Sequence, residues 1–394
     1  MMERAWGTGM SINGAAYIAG AYEHPTRLAA DRSVGQLHID VARGALEDAG
    51  LSFADVDGYF TAGAPGVGPL GMIEHMGLKV RHADSSELGG AAYIGHVNHA
   101  AQAIAAGKCS VALITLAGRP RAEGETFVRS DFIGLDYGFD APYRPVLANS
   151  YGMVARRHMH EFGTTSEQLA WIKVAASHHA QHNPNALLRK VVSVEDVVNS
   201  PMISDPLHRL DCCVITDGGG ALVVVSPEIA RQLKRPKVKV LGAGETVKYS
   251  DGGYNDMTFS GGRRSGAAAF AEAGVTPADI KYASIYDSFT ITVLVTLEDL
   301  GFCERGQGGR FVMDGNLISG VGKLPFNTDG GGLCNNHPYN RGGITKVIEA
   351  VRQLRGEAHP AVQVANCDVA LAHGTGGSLA RGHASATLIM EREA

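Results

Sequence analysis

The sequence predicts an α/β protein built from two similar halves, with a helical cap inserted in the first. Three observations lead there. A short segment recurs in the two halves, strand-length apolar runs alternate with helical stretches, and one long polar stretch interrupts the first half.

The recurrence comes first. Residues 45–55 read ALEDAGLSFAD and residues 269–279 read AFAEAGVTPAD, identical at five of eleven positions. Each copy reads as the end of a helix stopped at Gly50 or Gly274, then a short helical start capped by Ser52 or Thr276. A buried strand follows each, Val56 to Thr61 and Tyr282 to Tyr286. A second echo runs in the same order. A helix ending at Gly107 precedes a strand from Cys109 to Leu113, and a helix ending at Gly356 precedes a strand from Cys367 to Leu371. Two echoes in one order indicate a duplicated unit.

The strands are continuous apolar runs, as expected where both faces are covered, and strands alternating with helices indicate mostly parallel sheets. Residues 119–209 are more polar and carry many His and Arg, which predicts a helical cap. The first half is expected over 1–236, closing on the strand Ala221 to Val225. The second is expected over 237–394, opening on Lys237 to Leu241.

Composition narrows the function. Net charge is −5, no long basic run is present and there are two Trp, which argues against nucleic acid as a partner. The longest apolar runs are strand-length, too short for a membrane span. No basic stretch leads into an apolar run at the N-terminus, so no signal peptide is expected. The six Cys include no C-x-x-C pair, which fits a reduced cytoplasmic protein without structural zinc. The cap histidines His158, His160, His178, His179 and His182 lack a metal-ligand pattern and are expected at the surface.

Three local motifs carry a resemblance. Residues 210–220 (LDCCVITDGGG) resemble the thiolase CCPTSDGA stretch, and residues 331–343 (GGLCNNHPYNRGG) resemble the thiolase GGxxxxGHPxGxxG loop. Residues 285–289 (IYDSF) stand where the sterol-carrier-protein-X branch has HDCF. The chain thus resembles the thiolase superfamily over nearly its whole length. The resemblance implies the thiolase fold, with duplicated βαβ halves in a layered α-β-α-β-α arrangement.

The departures are concentrated. A thiolase activates a cysteine at the N-terminus of a buried helix. That helix is expected to begin near Ala91, and the loop before it, residues 82–90 (HADSSELGG), has no Cys. Ser86 falls at or beside the nucleophile position. Ser288 replaces the cysteine of HDCF, Tyr286 replaces its histidine, and His373 opens a Gly-rich run, residues 373–377 (HGTGG), where other thiolases have CxGxG. His337 is retained.

A thiolase site without its cysteines still implies a channel for coenzyme A and donors aimed at a thioester oxygen, where enolate charge develops. That suits aldol or retro-aldol chemistry. Tyr286 and Tyr339 are the candidate proton-transfer groups, a tyrosine hydroxyl being closer to an alcohol in acidity than a carboxylate is; the plainer reading of each is a half-buried aromatic with one partner. His337 either donates to the thioester oxygen or is a satisfied core histidine. His373 is a lesser candidate. Asp287 either orients its neighbours or bonds the backbone at the strand end. Asn335, Asn336 and Asn340 either supply donors or cap turns, and Tyr249 and Tyr254 lie in a polar loop, Lys248 to Thr258, that is a candidate to reach the pocket. Arg263 and Arg264 either meet the coenzyme A phosphates or form a solvated pair.

The pattern resembles the cysteine-less thiolase-like aldolases that cleave steroid side chains. That resemblance implies a β-hydroxyacyl-CoA substrate, a short acyl-CoA product such as propionyl-CoA, and no bound cofactor apart from the coenzyme A of the substrate. It also implies a homodimer, with contacts near Ala83 to Ala92, joined by a small zinc-ribbon and OB-fold partner into a heterotetramer. The alternatives are an acyltransferase using Ser86 and a non-catalytic scaffold that passes acyl-CoA between partners.

Overall fold

A computed structural model of the chain describes residues 11–63, 67–124, 146–248, 256–338 and 342–393. Eleven strands are present among them. They are β1 Tyr17–Glu23, β2 Gly58–Phe60, β3 His82–Asp84, β4 Val111–Gly118, β5 Met202–Ser204, β6 Leu207–His208, β7 Gly218–Val225, β8 Val238–Val247, β9 Tyr282–Ile285, β10 Val369–Ser378 and β11 Arg381–Arg392. The helices that matter for the site are α1 Val34–Ala49, α2 Ala92–Ala105, α3 Leu147–Phe162, α4 Ser166–Ala180, α5 Gly262–Ala273, α6 Thr290–Asp299, α7 Gly331–Cys334 and α8 Gly343–Arg355.

Both copies of the repeat fold alike. α1 and α5 end on Gly50 and Gly274, both left-handed with φ near +70°. There a side chain would strain the backbone. Asp55 and Asp279 then close matching capping boxes on Ser52 and Thr276, and the chain enters β2 or β9.

Nine strands form one sheet in the order β3-β2-β4-β7-β1-β8-β11-β10-β9. The run β2-β4-β7-β1 is echoed by β9-β10-β11-β8, with the same sense at every pairing. Short contacts between β1 and β8 (Tyr17 with Lys239, Ile18 with Val238) join the halves. The expectation of mostly parallel pairing is corrected. Only β2–β3, β2–β4 and β9–β10 are parallel, while β4–β7, β1–β7, β1–β8, β8–β11 and β10–β11 are antiparallel. The physical reason is connectivity. β10 turns straight back into β11 across two residues, and β4 returns as β7 only after the cap. Helix alternation in the sequence reports neither.

The layers follow from burial. α2 and α8 share one apolar cluster with strands of both halves and lie between them. α1 covers the outside of the first half, and α5, α6 and the cap helices α3 and α4 cover the second. α2 can lie inside because most of its residues are small or apolar, although it also buries His96 and Asn98. α8 is buried on nearly every side although it carries Lys346, Glu349 and Gln353. Each of these polar groups is partnered, as burial requires: Lys346 with Asp287, Glu349 with Thr328 and Arg352, and Gln353 with Thr328 and the Val362 carbonyl.

The described part of the cap from residue 146 onward is helical, with the β5–β6 ribbon at its end. The surface expectation for its histidines fails at two of them. His158 and His179 are fully buried. His158 Nδ1 bonds Thr164 and its Nε2 lies 3.3 Å from Glu298 of α6, while His179 Nε2 accepts from the Ser319 N–H. Both fasten the cap to the second half. All six cysteines are free thiols. Among the described residues no helix is long and apolar enough to cross a membrane.

Candidate active site

The three sequence motifs meet in space. The Cys213 N–H donates to the Ser288 carbonyl and the Val214 N–H to the Gly332 carbonyl, so residues 210–220 bridge the other two segments. Thr216 holds His337 in place: its hydroxyl oxygen accepts from the His337 N–H at 2.9 Å, and its own N–H donates to the His337 carbonyl at 3.4 Å. The Thr216 hydroxyl in turn donates to Asn336 Oδ1 at 2.7 Å. Asn335 and Asn336 donate to Glu23 at the end of β1 and act as ties for the loop.

Tyr286 follows β9 directly. Its N–H donates to the His373 carbonyl, which extends the β9–β10 ladder by one rung. Its side chain crosses to the start of the buried helix α2. Tyr286 Oη lies 2.8 Å from His337 Nε2, with the rings edge-on and their centroids 5.3 Å apart. The space for the ring is supplied by Gly90. A Cβ there would lie 2.5 Å from Tyr286 Cε2, 2.6 Å from Cζ and 2.5 Å from the Thr375 carbonyl. At the N-terminus of the central helix, where a nucleophile would project, there is no side chain and a tyrosine ring fills the place.

Electrostatics set the protonation of the pair. Burial pushes the Tyr286 hydroxyl well above its ordinary pKa, so it keeps its proton at neutral pH. Burial brings the His337 imidazole down to about 4, with the nearby Asp287 opposing and Lys346 assisting, so it is neutral. A protonated phenol against a neutral imidazole offers one donor and one acceptor within a single hydrogen bond. Cys213 lies close to this pair, but burial holds its thiol well above the usual range, which denies it a thiolate role.

Comparison with known proteins establishes the family. Residues 244–392 match the family model described as Thiolase C-terminal domain-like. The chain is 36% identical over 372 residues to a steroid side-chain-cleaving aldolase of Thermomonospora curvata, covering 88% of this chain and 91% of that protein. It is 35% identical over 371 residues to the 17-hydroxy-3-oxo-4-pregnene-20-carboxyl-CoA lyase of Mycobacterium tuberculosis, covering 88% and 92%. The solved Ltp2-ChsH2(DUF35) aldolase superposes with a TM-score of 0.87 at 34% identity, covering 97% of this chain and 98% of that one. The chain belongs to the thiolase superfamily, in its aldolase branch.

In this thiolase-like aldolase the remaining candidates fall into place one by one. Ser86 precedes Gly90 by four residues, and its hydroxyl and N–H both donate to Asp84 Oδ1. It closes a turn; the position at the helix start facing the Tyr286–His337 pair is Gly90. His373 is also corrected. Strand alternation places Ala372 in the central cluster, and a Cβ on Gly374 would lie 2.9 Å from Gly90 and from Ile94, so those neighbours face α2. His373 therefore faces the other way, onto α5. Its Nδ1 bonds Thr387, its Nε2 is buried without a partner, and burial depresses it to about 3.

Asp287 accepts from the N–H groups of Gly332 and Leu333 and from Lys346 Nζ, so it bonds backbone and orients its neighbours together. Arg263 and Arg264 are exposed in the first turn of α5. Tyr339, Asn340, Tyr249 and Tyr254 lie outside the described residues. Among the described residues no three His, Cys, Asp or Glu side chains converge as a metal site.

Three contributors went unnoticed in the sequence. The Gly89-Gly90 pair ahead of an Ala-rich helix was a usable signal for the Tyr286 seat. Lys346 lies in the helix that ends at Gly356, and nothing in that segment marks its partner Asp287. Tyr151, from the cap helix α3, stacks on Phe289 with centroids 4.4 Å apart and donates to the Gly377 carbonyl. No local pattern marks it.

Proposed function

We propose that this thiolase-like aldolase cleaves a β-hydroxyacyl-CoA by a retro-aldol reaction, giving a ketone or aldehyde and a shortened acyl-CoA. The observation that carries the reading is the Tyr286 ring in the space over Gly90, bonded to His337. Acyl-enzyme chemistry needs an activated nucleophile at that place, and there is none. The pair there transfers protons instead.

The steps balance without an oxidant. The β-hydroxyl gives up its proton to the Tyr286–His337 pair, the Cα–Cβ bond breaks, and its electron pair forms the thioester enolate. A proton returned to Cα completes the acyl-CoA, with Tyr339 proposed as the second proton-transfer group. The relative's name supplies a substrate class: a 17-hydroxy-20-carboxyl-CoA carries its hydroxyl β to the thioester and would release a 17-ketone and propionyl-CoA. Coenzyme A enters only as part of the substrate. The solved relative is a pairing of Ltp2 with ChsH2(DUF35), which supports a DUF35 partner subunit; the small zinc-ribbon and OB-fold partner is the form proposed for it. A homodimer joined by two such partners is the assembly proposed.

The test is turnover of a panel of β-hydroxyacyl-CoA thioesters with and without such a partner, reading acyl-CoA products by chromatography. Tyr286→Phe and Tyr339→Phe are expected to abolish turnover while folding normally. Wild-type rates in both would refute the mechanism, and no cleavage of any thioester would refute the reaction class.

A further inference from the structure

The buried pair formed by Lys346 and Asp287 lies behind the site and touches neither Tyr286 nor His337 through a hydrogen bond. Asp287 follows Tyr286 in the chain. Its Oδ1 accepts from the Gly332 N–H at 2.8 Å and from Lys346 Nζ at 2.9 Å, and its Oδ2 accepts from the Leu333 N–H at 3.0 Å. Those contacts grip the His337 loop from both sides, since α7 leads into it and α8 leads away. The fit is close. A Cβ on Gly331 would lie 2.2 Å from Asp287 Oδ2, and one on Gly332 would lie 3.1 Å from Asp287 Oδ1 and 3.1 Å from His337 Cδ2.

Both side chains are almost wholly buried, at 2% and 0% exposure for Lys346 and Asp287. A buried ion pair contributes little stability beyond what an apolar pair of the same volume would, so its presence calls for another use. Here the carboxylate sits one residue's width from a catalytic imidazole. An unbalanced negative charge there favours the imidazolium.

We propose that Lys346 and Asp287 form a positioning device, which holds His337 in register with Tyr286 while Lys346 cancels the carboxylate charge that otherwise faces the imidazole. The proposal rests on the aldolase reading for its catalytic consequence, but not for its electrostatics. The charged and titratable groups around Lys346, Asp287 and the Tyr286–His337 pair include Glu23 of β1, Tyr151 of α3, Asp329 before α7, Cys334 of α7, Lys173 of α4 and Cys213 before β7. Burial works against the Lys346 charge, but Asp287 and Asp329 outweigh it and hold the ammonium protonated. Lys173 is taken up by the Leu333 carbonyl. Lys346 is the cation in contact with Asp287.

The experiment is an NMR titration of the full-length protein with labelled histidine, without substrate, with the His337 signal assigned by its loss in His337→Gln. In the wild type His337 is expected to stay neutral down to the acid limit of folding. Lys346→Met, and Lys346→Gln, which keeps a donor to Asp287 without the charge, are each expected to raise its pKa by about one unit or more. Lys346→Arg is expected to leave it unchanged. In turnover, kcat is expected to fall about tenfold or more in Lys346→Met, with KM little changed, and to recover in Lys346→Arg.

A pair kept for packing alone leaves the titration untouched, so an unshifted His337 in Lys346→Gln overturns the proposal. If Lys346→Met does not fold, Lys346→Gln and Lys346→Arg carry the comparison. Lack of turnover by the wild type sinks the aldolase reading alone, because the titration is read without substrate.

Discussion

Replacing Gly90 with alanine tests whether the Tyr286 seat is the catalytic feature. The added Cβ would lie 2.5 Å from Tyr286 Cε2 and 2.5 Å from the Thr375 carbonyl oxygen. The carbonyl belongs to β10 in the middle of the molecule and cannot retreat. Residue 90 must therefore shift away from the carbonyl, and the tyrosine ring must move by about 1 Å or more to reach ordinary contact. Its hydroxyl sits 2.8 Å from His337 Nε2, and a shift of that size takes the pair out of hydrogen-bond range. Overpacking of this kind costs about 1–3 kcal/mol of stability. Turnover is expected to fall about 100-fold, the cost of misplacing a proton-transfer group by that distance. The assay is kcat on a cleaved β-hydroxyacyl-CoA beside a thermal melt by circular dichroism. Gly71→Ala is the control, since a Cβ there meets nothing within 4 Å, and it is expected to be neutral or slightly stabilising. In a Tyr286→Phe background, where turnover is already lost, Gly90→Ala should change only the melting temperature, because the hydroxyl is already gone. Wild-type kcat in a folded Gly90→Ala protein would rule out the Tyr286 seat as the source of activity.

Further expectations concern neighbouring groups and pH. Ser86→Ala should keep turnover within a few-fold, because the hydroxyl serves Asp84; an acyl adduct on Ser86 in intact-mass spectra would instead establish serine chemistry. His373→Gln should likewise keep kcat, since the side chain faces α5, and a large loss at unchanged stability would contradict that placement. Six buried imidazoles have depressed folded-state pKa values through burial: His24 is lowered, His96, His179 and His337 lie at about 4, and His373 and His383 at about 3. Below their ordinary value of about 6.5 the unfolded chain binds more protons, so stability is full above that pH and is lost as pH falls toward 4. Asp299 and Glu349, raised by burial to about 7, and His99, held up to about 9 against burial by Asp84 and Glu245, act in the opposite sense but are fewer. The melting temperature is expected to drop between pH 6.5 and 4; a flat profile by calorimetry would show the imidazoles are not buried neutral.

Much of the fold was legible because it is written twice. Gly50 and Gly274 end helices in a conformation that favours glycine, and Ser52 and Thr276 cap the short helical turns after them, so local chemistry alone marks both copies. Tyr286 and His337 were also legible, as substitutions and survivals against a known pattern. His373 was misplaced because a strand reverses its facing with every residue, and a motif aligned one position off selects the wrong face. His158 and His179 were assigned to the surface because a polar residue in a polar segment carries no mark of the partner that buries it.

The sequence by itself determined the duplicated α/β plan, the thiolase-type loops and the loss of the thiolase cysteines, since each depends on residues close together in the chain. Only the tertiary structure decided that Tyr286 meets His337 over Gly90, that Lys346 stands behind them against Asp287, and that the sheet is mainly antiparallel. Those contacts join residues just after β9, just before α2, in the loop after α7 and in α8, and their geometry is set by how the two halves close on the central helices. A single chain segment contains no information about that closure until the core is packed.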